Sequence, residues 1–65
     1  MRTLALAHVD LTDATSFDPT VIDELNDAYI RATVAGHRFR VTPPLALEPR
    51  HAFHRAAIRG QLLWS

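Results

Sequence analysis

The dipeptide Asp18-Pro19, followed by an apolar stripe that runs to Gly36, constrains this chain more than any other feature. Asp18 offers a carboxylate to the free N–H groups of a first helical turn. Pro19 at the first helical position lacks only an N–H that would have no acceptor there. Val21, Ile22, Leu25, Ala28, Tyr29 and Ala32 then recur at the period of one helix face. Asp27 and Arg31 lie four apart on the other side and can pair. Asp23 and Glu24 sit near the positive end of the helix. Gly36 suits the left-handed residue that closes a helix. Together these signals predict a helix over 19–35.

A strand is expected on each side of this helix. Residues 3–11 read TLALAHVDL, with Leu4, Leu6, Val9 and Leu11 around Ala5 and Ala7. So continuous an apolar run predicts a strand covered on both faces. Alanine is a poor strand former, which leaves a short helix as the competing reading. Residues 12–16 are a polar connection. Residues 37–42, HRFRVT, alternate: Phe39 and Val41 face one way, and Arg38, Arg40 and Thr42 face the other. Pro43-Pro44 ends that strand, because neither residue can donate to a ladder. Leu45-Ala46-Leu47 is an apolar connection able to add a short strand.

Glu48-Pro49 predicts a second helix, roughly 49–59, with Phe53, Ala56 and Ala57 inward and Gly60 closing it. Residues 61–64, QLLW, read as a last strand or an apolar tail. The order strand, helix, strand, helix, strand predicts one α/β domain over 1–65. Its sheet is expected to be small and mainly parallel, about three strands with two crossover helices.

Composition narrows the function. A chain of 65 residues makes one small domain of marginal stability, which a partner or a second copy can supplement. Seven arginines balance seven acidic residues, with no lysine. Zero net charge argues against a dedicated nucleic-acid binder and leaves self-association unopposed. The absence of cysteine excludes disulfides, thiolate metal sites and a cysteine nucleophile. No stretch approaches the roughly 20 apolar residues of a membrane span. The apolar run at the start is too short for a signal peptide, so a cytoplasmic location is expected.

The block from Val9 to Pro44 resembles the STAS domain family, named for sulfate transporters and anti-sigma factor antagonists. The resemblance rests on Asp10-Leu11-Thr12, then Thr15-Ser16-Phe17-Asp18-Pro19-Thr20, Leu25 on the helix, Gly36, Arg38-Phe39-Arg40-Val41 and Pro43-Pro44. It covers a little over half of the chain. It implies a regulatory interaction module whose loop and first helical turn meet a protein partner, often a kinase-like anti-sigma factor. On that basis Asp18, Thr20, Asp23 and Asp27 are the candidate partner-binding residues. The chain departs from the family in three places. The family carries strands before the Asp-Leu-Ser strand, so the likeness is to a trimmed version with an open sheet edge. Residues 45–60 match poorly. The serine phosphorylated in antagonist members is Pro19 here, which leaves Thr20 as the candidate phosphoacceptor. A phosphate there meets a favourable helix dipole and an unfavourable Asp18.

Other constellations have plainer readings. His51 and His54 share a helix face but lack a third metal ligand, and beside Arg50 and Arg55 they read as a solvated basic face. His8 and His37 read as structural. Asp10, Asp13 and Asp18 cluster near a strand end where ligands bind in open α/β sheets, which makes a small ligand-binding protein the second alternative. Arg38 and Arg40, with Arg50, Arg55 and Arg59, read as a mixed solvated surface rather than a phosphate patch. Trp64 is an interface anchor if exposed and a core cap if buried. No cofactor or hydrolase signature occurs, and no catalytic residue, metal or cofactor is expected. The first alternative to a docking module is a self-assembling homodimer that pairs through the open edge.

Overall fold

The computed structural model describes residues 5–64, in the order β1 (Leu6–Asp10), α1 (Pro19–Val34), β2 (Arg38–Thr42) and α2 (Leu47–Ile58). The fold is α/β. β1 and β2 pair in parallel, with Leu6 opposite Arg38, His8 opposite Arg40 and Asp10 opposite Thr42. α1 is the crossover between them.

Each boundary of α1 follows from its local chemistry. Asp18 Oδ1 accepts from the Val21 N–H at 3.0 Å, and Pro19 stands in the first turn. At the other end Gly36 has φ +74°. The His37 N–H reaches the Ala32 carbonyl at 2.8 Å and the Gly36 N–H reaches Thr33 at 3.0 Å. That pair of bonds is a Schellman closure, and its left-handed residue disfavours any side chain larger than hydrogen. α2 closes in the same way at Gly60, with Gln61 N–H on Ala56 and Gly60 N–H on Ala57. Asp23 and Glu24 lie just beyond the first turn of α1, which itself holds no acidic residue. The Asp27–Arg31 ion pair is formed on the exposed side.

α2 begins two residues before the expected start. Arg50 N–H on the Ala46 carbonyl, at 3.0 Å, is its first helical bond. Pro49 therefore occupies the third position, where its missing N–H would have had no acceptor. Leu47 thus belongs to the helix, and residues 45–47 add no strand. Ala46 supplies no side-chain cap, while Glu48 lies in the first turn.

The core is assembled from Phe17, Leu25, Ala56 and Leu62, with Val9, Leu11, Val21, Ile22, Phe53 and Ala57 packed against it. The inward face expected for α1 is present: Leu25 and Ala32 are buried, and Val21, Ile22, Ala28 and Tyr29 are half-buried. Phe17 and Phe53 meet edge to face at 5.2 Å. A second aromatic group joins Tyr29, Phe39 and Trp64, with Phe39 centred 5.3 Å from Trp64. Trp64 is half-buried in that group, so it lies over the Phe39 side of β2.

Two further expectations fail. The sheet has two strands among the described residues, not three, and α2 leads to no further strand. Asn26 of α1 supplies the reason. Its Nδ2 donates to the Gln61 carbonyl at 2.8 Å and its Oδ1 accepts from the Leu63 N–H at 3.0 Å. The backbone groups that a strand would offer to a ladder are bonded to a side-chain amide, with Leu62 buried between them. β1 is also not covered on both faces. Ala7 and Val9 are half-buried, while Leu6, His8 and Asp10 are exposed. Alternating burial of this kind marks a strand with one covered face.

Candidate functional site

The loop from β1 to α1 is held at several points. Leu11 N–H extends the ladder to the Thr42 carbonyl at 3.0 Å. Asp10 Oδ1 then accepts from the Thr12 N–H at 2.9 Å, closing an Asx turn. This backbone bond, followed by the Thr12 hydroxyl, holds the Asp10 carboxyl below the usual carboxylate range. Ala14 N–H closes a further turn on Leu11. Phe17 is only 8% exposed and anchors the loop in the core. Its neighbours Thr15, Ser16, Asp18 and Thr20 all stay exposed.

A cleft of about 460 Å³ lies between this loop and α2. Thr15, Ser16 and Asp18 line one side, and Glu48, His51 and Arg55 line the other. Asp10 and Asp13 do not reach it, so the three loop aspartates do not converge on one pocket. Asp10 and Asp18 instead serve as local backbone caps. The cleft offers hydroxyls and both signs of charge, as a polar contact surface does.

The four candidate partner-binding residues are exposed. Thr20, Asp23 and Asp27 form one stripe along α1 at helical spacing, and Asp18 stands at its head. Thr20 is the second residue of the helix, between the Asp18 cap and the acidic stripe. A phosphate on it would therefore meet negative charge on two sides.

Sequence reasoning missed how this stripe continues. Ile30 and Val34 follow Asp23 and Asp27 at intervals of four, three and four, on the same outward side. Val34 is 84% exposed and Ile30 49% exposed. Asp23 and Asp27 make this stripe acidic toward the N-terminus of the helix, and Ile30 and Val34 make it apolar toward the C-terminus. The same spacing is visible in the sequence, but apolar residues near a helix end are ordinarily counted toward the core. Asn26 was also missed, because an asparagine inside a helix carries no signal for a partner 35 residues away.

Among the described residues no three of His, Cys, Asp and Glu gather as a metal site, and His51 and His54 are both exposed. No described helix is long and apolar enough to cross a membrane. No family model, curated protein or solved structure matches the chain.

Proposed function

We propose that this chain is a non-catalytic regulatory module that docks onto a protein partner through the loop before α1 and the outward stripe of α1. One observation carries the reading: Asp23, Asp27, Ile30 and Val34 share an exposed face of a helix whose opposite face, Leu25 and Ala32, is buried. A helix fixed from behind presents such a stripe without having to order it on binding, which lowers the cost of association. The complementary partner surface has a basic rim opposite Asp23 and Asp27 and an apolar groove for Ile30 and Val34. A kinase-like anti-sigma factor as that partner rests on the STAS resemblance alone. The same holds for Thr20 as a phosphoacceptor.

The test is affinity capture with mass spectrometry, followed by titration of the captured protein in purified form. Wild type is compared with a D23K/D27K double variant and with Val34→Asp. Each change is expected to weaken binding at least about tenfold, the loss of one well-placed interface contact. Unchanged affinity in both variants would place the docking surface elsewhere. Thr20→Glu then asks whether negative charge at the helix start releases the partner.

A further inference from the structure

The hydrogen-bond ladder of the sheet leaves one exposed set of backbone groups on β1. Arg38 N–H bonds the Ala5 carbonyl at 2.9 Å, and Leu11 N–H bonds the Thr42 carbonyl at 3.0 Å. With the observed register, this points the backbone groups of Ala7 and Val9 toward β2. Those of Leu6, His8 and Asp10 point the opposite way, to the outer edge of β1. On β2 it is Phe39 and Val41 whose groups point outward, and these two residues are half-buried. Phe39 also carries Trp64 and Tyr29 against its ring. Leu6, His8 and Asp10 are all exposed and have no backbone partner on that edge among the described residues. β1 contains no proline and no lysine, and its register with β2 has no bulge, so these three devices that protect a sheet edge are absent from it, and Asp10 is its single charged residue.

We propose that two copies of this chain pair through the outer edge of β1, antiparallel about a two-fold axis at His8, to give a four-stranded sheet in the order β2, β1, β1, β2. Three features favour a second copy as the occupant. The outward-pointing residues are spaced evenly about His8, so the two-fold places His8 opposite His8 and Leu6 opposite Asp10, each pair exchanging both of its backbone bonds. The side chains of these residues all lie on the open face, where Asp10 of one copy falls diagonal to His8 of the other and beyond Leu6 from Arg38. The Asp10 carboxylate thus faces neutral Leu6 and, beyond it, cationic Arg38, and the two Asp10 carboxylates lie at opposite ends of the pair. The chain carries no net charge to oppose association. A closed two-fold pairing of this kind uses up the exposed edge and stops at the dimer.

Because the chain has no cysteine, a single introduced thiol reports the register directly. Facing residues in such a pair stand about 5.5 Å apart between Cα atoms, within disulfide reach. His8→Cys is expected to form a covalent dimer on mild oxidation. Leu6→Cys is expected not to, since the two Leu6 positions are offset by about 14 Å along the strands. Sedimentation over about a hundredfold range of concentration provides the second measurement. Wild type and His8→Ala are expected to dimerise. Relative to His8→Ala, which already lacks the imidazole bond to Thr42, His8→Pro further removes an outward N–H, and it is expected to lose the dimer while keeping its far-UV circular dichroism. A wild type that stays monomeric throughout would overturn the proposal. So would a folded His8→Pro variant that still dimerises, or equal cross-linking of the two cysteine variants. Should His8→Pro unfold, the cysteine pair decides.

Discussion

The two faces of the sheet carry different chemistry although they share the same ten residues. On one, Val9 packs on the core and Phe39 lies against Tyr29 and Trp64. On the other, Leu6, His8, Asp10, Arg38 and Arg40 stand in solvent, where His8 Nε2 and Thr42 Oγ1 share a 2.6 Å hydrogen bond and Asp10 caps the Thr12 N–H. A parallel sheet ordinarily has both faces covered. Here a single layer of helices serves one face, and stability has to come from a small core on that side. The open face is left available for contacts outside the fold.

The comparison is broken most severely on the covered side. Leu62 is 2% exposed and joins the C-terminal segment to α1 and α2. Leu62→Ala is expected to cost about 2–5 kcal/mol, the range for emptying a buried leucine site. That is a large part of the total for a chain of this size, roughly 3–10 kcal/mol. Urea denaturation should show a markedly lower midpoint or a chain already unfolded. A loss below 1 kcal/mol would mean that Leu62 is not part of the core.

A smaller effect is expected at the joint between α1 and the C-terminal segment. Asn26→Ala removes two hydrogen bonds, to Gln61 and Leu63, and should cost about 1–2 kcal/mol. Hydrogen exchange should quicken at the Leu63 amide, while the amides in the middle of α1 keep their protection. Exchange unchanged at Leu63 would remove Asn26 as the clamp. On the open face the change should be least. Arg40→Ala is expected to stay within about 0.5 kcal/mol, because nothing buried depends on the side chain. A larger loss in a monomeric sample would show that the face is covered in a way that the two-stranded sheet does not display.

The candidate site divides in the same manner. Asp18 as a cap, Thr20 in the first turn and the exposed Asp23 and Asp27 could be read from spacing alone, because each depends on a helix whose start is written in Asp18-Pro19. The cleft with Glu48, His51 and Arg55 could not, since it needs α2 to lie against the loop. The outward placement of Ile30 and Val34 also depended on where the core lies. Residues 5–7 show the limit from the other direction. An alternation of Leu and Ala is compatible with one covered face or two, because alanine is small enough for either.

Local chemistry therefore determined the span of α1, its Schellman end at Gly36, the alternation of β2 and the closing turn at Gly60. These depend on contacts within a few residues, which the order of amino acids states directly. Tertiary packing alone decided that residues 61–64 are clamped by Asn26 rather than paired as a strand. It also decided that Trp64 joins Phe39 and that, among the described residues, nothing covers one face and one edge of β1. Each of those outcomes is a competition between partners far apart in the chain. Which partner prevails depends on what the folded chain brings near, and no local pattern records that.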